Sequence, residues 1–320
     1  MKCVCAPAIP QQQWLATSVN SEQISASARR LCEISKPSLW ERRVDSKSFG
    51  GTARQVTSLG MGTYYDFPWI IMSRLGVVGG AEAKVAALRA GLEGGISLID
   101  TAEVYNSEPL VAKAIEGLPR EDLFIATKVT FTHLRHDALV RSLERSLKRL
   151  KLGYVDLYQV HQPSPFVPIK ETMSAMEEMV DRGLIRYIGV SNFSVKQTVE
   201  ANGALKKYRL ASIQMPYHLA DRRMEKEILP YCKKENMALL AYFPLGHGKL
   251  TSSRVLSSIG QKYEKTATQV ALNWLLSQDN VFPIPRASTS IHVTEDIGSV
   301  GWRMSDEDRT ELEKTYPPPT

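Results

Sequence analysis

The chain has 320 residues, 43% of them hydrophobic, with a formal charge of +6 and a pI near 9.0. This length fits one α/β barrel of roughly 250 residues plus an extension, the apolar share supports a large core, and the modest positive charge marks a solvated surface that favours an anionic ligand. Cys3, Cys5, Cys32 and Cys232 have neither zinc spacing nor the density of a disulfide scaffold, and no apolar run approaches the ~20 residues of a membrane helix. A reducing, cytoplasmic setting is expected, with no membrane partner.

Residues 1–40 are rich in Ser, Gln and Ala and lack apolar periodicity. They read as a poorly ordered extension. An organelle transit peptide is the alternative, because the stretch is acid-poor and carries Arg29 and Arg30. Residues 41–320 are expected to form the main domain. Val44 to Ser48 and Arg54 to Thr57 flank Phe49-Gly50-Gly51, which predicts a hairpin at one end of a barrel. From Leu59 onward eight short apolar runs follow, LGMGT, ISLID, LFIAT, VDLYQV, YIGVS, ASIQM, ALLAYF and VFPIP.

Helical stripes separate these runs: Ala81, Val85, Leu88 and Leu92; Leu139, Leu143, Leu147 and Leu150; Ala267, Val270, Ala271, Trp274 and Leu275. Apolar strands alternating with amphipathic helices predict a parallel sheet covered by helices, and eight such units predict a closed (β/α)8 TIM barrel. An open doubly wound sheet is the rival. No strand is followed by GxGxxG, since Gly91, Gly94 and Gly95 precede a strand instead of opening a helix. The basic helix RSLERSLKRLKL reads as a leucine face with a solvated cationic one, and without aromatic platforms it does not predict nucleic-acid binding. Met173, Met176 and Met179 read as helix core.

Asp100 closes ISLID, Tyr105 follows five residues on, Lys128 closes LFIATK and His161 closes VDLYQVH. Barrel active sites lie at the C-terminal strand ends, so these groups would converge on one pocket. A phenol is a poor acid or base at neutral pH unless a neighbour stabilises its anion. Lys128 is the expected neighbour, drawing Tyr105 toward the tyrosinate, with Asp100 aiming the lysine and His161 donating to a substrate oxygen. Taken singly each has a structural reading: a helix cap, a packing ring, a loop charge, a core histidine. Their convergence on adjacent strands argues for proton transfer to a carbonyl oxygen.

From about Arg43 to the last helix the sequence resembles the aldo-keto reductase superfamily, through LGMGT, IDTAEVY, ATKV, DLYQVH, GLIRYIGVSNF, IQMPYH, LLAYFPLGHGKL and PIPRASTSIHVTEDIG. The resemblance implies that Asp100, Tyr105, Lys128 and His161 form the catalytic tetrad, with Tyr105 as proton donor. It also implies a nicotinamide cofactor across the barrel mouth and no metal. Ser191, Asn192 and Gln214 would hold the carboxamide, Tyr242 would stack on the ring, Leu245 and Gly246 would approach the pyrophosphate, and Gly62, Thr63 and Asp100 would lie beside the ribose. The loop with Arg286, Ser288, His292 and Asp296 would read the adenosine end. Arg286 can grip a 2′-phosphate, which favours NADPH. His292 stands where many members have arginine and Asp296 where asparagine is usual, so NADH also remains possible.

The expected activity is NADP(H)-dependent reduction of an aldehyde or ketone, a small-molecule carbonyl substrate. The alternative is an NADP(H)-binding regulatory or sensing subunit, since the barrel of channel β-subunits resembles the same family. A hydrolase with paired carboxylates would need a second acid at the motif positions. Tyr64, Tyr65, Phe67, Trp69 and Phe131 are the expected aromatic lining for a moderately apolar substrate. The segment 245–266 is short and argues against a long lid. Nothing in the sequence sets the oligomeric state.

Overall fold

Alternating apolar runs and helical stripes become a ring of parallel strands in the computed structural model, which describes residues 44–318. The expected extension, residues 1–40, lies outside them. An antiparallel hairpin of β1 (Ser46–Ser48) and β2 (Gln55–Thr57) comes first, with Lys47 opposite Val56. The eight-stranded sheet follows as β3 (Gly60–Gly62), β4 (Leu98–Asp100), β5 (Phe124–Val129), β6 (Val155–Val160), β7 (Ile185–Ser191), β8 (Leu210–Pro216), β9 (Ala238–Tyr242) and β10 (Val281–Pro283). Each strand pairs in parallel with the next in sequence order. The ring closes at Gly62, whose N–H donates to the Pro285 carbonyl at 2.7 Å and whose carbonyl accepts from the Ala287 N–H at 3.0 Å. The architecture is the (β/α)8 barrel.

The helices of the described residues are α1 (Phe67–Arg74), α2 (Ala81–Glu93), α3 (Glu108–Ile115), α4 (His136–Leu150), α5 (Ile169–Asp181), α6 (Val195–Ala204), α7 (Ile228–Glu235), α8 (Arg254–Gln261), α9 (Ala267–Leu276), α10 (Ser290–Ile297) and α11 (Asp306–Thr315). Capping boxes Ser194/Gln197 and Thr266/Gln269 start α6 and α9 by satisfying orphan N–H groups. On α4 the predicted leucine face is buried and Arg141, Arg145 and Lys148 are exposed. Arg149 departs from that pattern, because its Nε reaches the buried Glu108 of α3 at 2.5 Å. Met173, Met176 and Met179 are fully buried core. No described helix is long and apolar enough to cross a membrane.

Inside the ring, side chains two apart on a strand share a face. Leu98, Phe124, Ala126, Leu157, Ala238, Leu240 and Phe282 form one buried apolar cluster with Phe49 and Val56 of the hairpin region. Phe49 stacks within 4.7 Å of Phe124 and 5.2 Å of Phe282, so the hairpin plugs the N-terminal end of the barrel as its sequence predicts. Gly50 turns there at φ +54°, and a Cβ would meet the Asn236 carbonyl oxygen at 2.7 Å. One step further along the same faces the residues become polar: Asp100, Lys128, Gln159, Gln214 and Tyr242. That change from oil to charge positions the site.

Candidate active site

The residues predicted to carry the chemistry do converge at the C-terminal mouth. Asp100 ends β4, Lys128 lies near the end of β5, His161 directly follows β6, and Tyr105 sits on the 3-10 turn after β4. Lys128 Nζ donates to Asp100 Oδ2 at 2.5 Å and to the Thr101 carbonyl at 2.9 Å, and lies 3.5 Å from Tyr105 Oη. Tyr105 Oη shares a hydrogen bond of 3.2 Å with His161 Nε2. Asp100 Oδ1 accepts from Gln214 Nε2 at 2.8 Å and from Gln159 Nε2 at 3.3 Å. Both carboxylate oxygens are therefore engaged by protein donors.

Tyr105, Asp100 and His161 line a cavity of about 1000 Å³. Lys128 does not line it: the side chain is completely buried behind Asp100 and Tyr105 and acts through them. Burial lowers the Lys128 pKa, opposed by the charge of Asp100. Burial pushes the Tyr105 phenol well above its ordinary value, and the Asp100 carboxylate and Tyr64 push it the same way. The sequence reading in which Lys128 draws Tyr105 toward the tyrosinate is corrected here, because burial, and after it Asp100 and Tyr64, raise the phenol pKa although Lys128 Nζ lies 3.5 Å away. The phenol of Tyr105 therefore keeps its proton at neutral pH. Burial, then the charge of Lys128, lower the His161 pKa to about 3, so the imidazole is neutral at physiological pH.

Of the residues expected to hold a cofactor, Gly62, Ser191, Asn192, Gln214, Tyr242, Leu245, Arg286, Ser288, His292 and Asp296 all line the same cavity. Asn192 adopts φ +60°, a left-handed conformation Asn tolerates. Its Nδ2 donates to the His161 carbonyl at 2.9 Å, and its Oδ1 accepts from Tyr242 Oη at 2.8 Å, which fixes the tyrosine ring. Ser191 Oγ donates to the Gln214 carbonyl at 3.0 Å. Arg286 Nη1 donates to the Tyr65 carbonyl. Burial and the neighbouring Glu295 push the Asp296 carboxyl well above the usual carboxylate range.

Two expected residues fall outside the lining. Thr63 is fully buried and ties β3 to β4, donating to the Asp100 carbonyl at 3.0 Å and sharing a bond with Ser107 Oγ at 2.9 Å. Gly246 turns at φ +57° behind the cavity wall, where a Cβ would stand 3.2 Å from the His218 ring. The aromatic lining also differs from expectation. Tyr64 and Tyr65 line the cavity, but Phe67, Trp69 and Phe131 do not; Ile70, Val104 and Phe243 take their place. The reason is local: Asp66 caps α1 by accepting from the Trp69 N–H at 2.7 Å, and the helix then turns Phe67 to solvent and Ile70 inward.

Sequence reasoning passed over Gln159, although counting back two residues from His161 on the same strand face finds it. It also passed over Glu108, fully buried, which accepts from Thr127 Oγ1 at 2.8 Å and from Arg149. No local pattern marks that pair.

The model of the Aldo/keto reductase family matches residues 79–317, well over half of the chain. The chain belongs to this family. It is 36% identical over 246 residues to a methylglyoxal reductase of Escherichia coli, covering 74% of this chain and 86% of that protein. It is 33% identical over 250 residues to a glyoxal reductase of Bacillus subtilis, covering 78% and 88%. Among solved structures, an aldo-keto reductase of Klebsiella pneumoniae in complex with NADPH superposes with a TM-score of 0.78 at 31% identity, covering 87% of this chain and 97% of that one. A thermostable aldo-keto reductase bound to the inhibitor epalrestat gives 0.77 at 38%, covering 84% and 99%.

Proposed function

We propose that this aldo-keto reductase reduces aldehydes or ketones to alcohols with NADPH, Tyr105 delivering the proton. The observation that carries the reading is the 3.2 Å contact between the raised-pKa phenol of Tyr105 and the neutral imidazole of His161 at the mouth of a cavity large enough for a dinucleotide. The relatives support the class: two are named for reduction of methylglyoxal or glyoxal, and a structural neighbour holds NADPH. Bound NADPH supplies the hydride to the carbonyl carbon.

The chain's own residues do the rest. Tyr105 holds the proton that goes to the carbonyl oxygen. His161, neutral because its pKa lies near 3, orients that oxygen without competing as an acid. Lys128 and Asp100 form the buried pair behind the donor, and the positive end of that pair faces Tyr105 at 3.5 Å, where negative charge develops after transfer. Ser191, Asn192 and Gln214 offer amide and hydroxyl groups suited to a carboxamide, and Tyr242 offers a ring face. Arg286 supplies a permanent cation for a 2′-phosphate. Burial favours the protonated form of the Asp296 carboxyl, the form that can donate a hydrogen bond as the family's usual asparagine amide does. The exposed His292 stands where many members have arginine, so recognition of the 2′-phosphate falls chiefly to Arg286, and NADH is accepted more weakly than NADPH.

The test is oxidation of each reduced cofactor followed at 340 nm with methylglyoxal, simple aldehydes and ketones. Multiple turnovers with NADPH are expected, and a higher kcat/KM for NADPH than for NADH. Binding of NADPH without turnover on any carbonyl would refute the reductase assignment.

A further inference from the structure

Nine large apolar side chains stand exposed among the described residues, and six of them, Phe67, Ile71, Met72, Leu75, Val77 and Val78, fall within the single stretch 67–78. Scattered exposed apolar residues need no explanation, but a contiguous patch marks a surface that something covers. Phe67, Ile71 and Leu75, exposed to 66, 43 and 72%, are spaced four apart and form one stripe along α1 and its C-cap.

The stripe starts at the rim of the active-site cavity. Asp66, the N-cap of α1, and Ile70, one turn along, both line that cavity. The inner face of the helix packs Trp69 and Ile70 into one apolar cluster with Tyr65 and Tyr105. Arg74 Nη2 donates to the carbonyl of Val104, another lining residue, at 3.2 Å. The inside of α1 thus holds the turn that carries the proton donor, while its outside is bare hydrocarbon continuing from the pocket wall. Around Tyr105 the wall is Tyr64, Ile70, Val104 and Phe243, with a neutral His161. The one lysine or arginine among the lining residues is Arg286, already bonded to the Tyr65 carbonyl. A substrate carboxylate finds no free cation beside the donor; an alkyl chain finds apolar side chains at the pocket wall, Ile70 and Val104, and beyond the rim at Phe67 and Ile71.

We propose that this stripe seats the hydrocarbon tail of a long-chain aliphatic aldehyde whose carbonyl lies at Tyr105. The proposal rests on the reductase reading above. The aldehyde gains a hydride from NADPH and a proton from Tyr105 and leaves as the primary alcohol, and the tail takes no part in that exchange. Full burial of one methylene is worth roughly fourfold in affinity, and a tail lying on a surface keeps one side in water, so about twofold per methylene is expected.

The experiment is a series of kcat/KM values for straight-chain aldehydes from butanal to decanal, below their solubility limits, with NADPH. The wild-type ratio of decanal to butanal is expected to reach tens-fold, and the double variant Ile71→Asp/Leu75→Asp should lower that ratio at least fivefold. Val199→Asp, at an exposed apolar position of α6 outside the stripe, should leave the ratio unchanged. A flat wild-type series overturns the tail assignment, as does a double variant that keeps the wild-type ratio. Sedimentation showing a wild-type dimer that the double variant dissociates, with the ratio unaltered, assigns the stripe to a second copy of the chain and also overturns it. Absence of turnover with every aldehyde overturns the reductase reading and this one together, whereas turnover with a flat series overturns only the tail.

Discussion

His161 makes the site testable through stability as well as turnover. Its folded pKa lies near 3 because burial and the charge of Lys128 disfavour the imidazolium, whereas in the unfolded chain it returns to about 6.5. A pKa depressed by folding means that the unfolded state binds more protons between these values, so the contribution to stability is complete above about pH 6.5 and is lost as pH falls toward 3. Between pH 7.5 and 5 the loss works out to about 2 kcal/mol, and to about 1 kcal/mol if water along the pocket edge screens half of it. His161→Gln keeps a polar side chain of similar length and removes the titration. Urea unfolding followed by circular dichroism, without cofactor, should therefore show the wild type losing about 1–2 kcal/mol more than the variant over that interval. Equal losses would refute a neutral buried His161. A larger loss in the variant would mean that the imidazole is charged in the folded protein.

Three further outcomes bear on other parts of the site. Tyr105→Phe should lower kcat by about 10²–10⁴-fold, the usual contribution of a positioned acid, while NADPH affinity measured by fluorescence titration stays within about twofold; turnover at the wild-type level would assign the proton elsewhere. Arg286→Ala should raise the KM for NADPH about 10-fold or more and leave that for NADH nearly unchanged, since a charge-assisted contact to phosphate is worth about 1.5–3 kcal/mol; equal effects on both cofactors would remove Arg286 from 2′-phosphate recognition. Arg149→Ala leaves the fully buried Glu108 without its cation and should cost about 3 kcal/mol, or about 6–12 °C in thermal midpoint, against a negligible shift for the exposed Arg145→Ala.

The barrel was legible because its signal is local and repeated: eight short apolar runs alternate with segments of helical period. Asp100 and Lys128 could be read as site residues because a two-residue period puts them on the same interior face as Leu98 and Ala126. Tyr105 could not be found that way. It lies on a 3-10 turn, where periodicity carries no information; its place five residues after Asp100 brought it into the cluster, and the family resemblance then agreed. The start of α1 was available in Asp66 and Pro68, a cap followed by proline in the first turn, and using it would have turned Phe67 outward and Ile70 inward. The Glu108–Arg149 pair joins two helices 41 positions apart, and the direction of the Tyr105 pKa is set first by how deeply the ring is buried. Both are tertiary facts.

Counting donors and acceptors supports Tyr105 as the proposed proton source. Asp100 accepts from Lys128, Gln159 and Gln214, so both of its oxygens are engaged, and as a carboxylate it has no proton to give. Lys128 is fully buried and does not reach the lining. His161 carries a single ring proton at neutral pH and would have to leave as an anion to donate it, while its pKa near 3 keeps the second proton off. Tyr105 remains, with its hydroxyl on the cavity side and its pKa well above the ordinary phenol. A phenol held that high is fully protonated before the reaction. The anion left after transfer is poorly solvated but lies 3.5 Å from the Lys128 ammonium and 3.2 Å from the His161 ring, and the same burial that raised the pKa makes it recover its proton readily. The buried pair therefore serves the state after transfer, which is why Asp100 must hold the ammonium in place without discharging it, and why loss of Asp100 should lower turnover even though its carboxylate makes no proton transfer of its own.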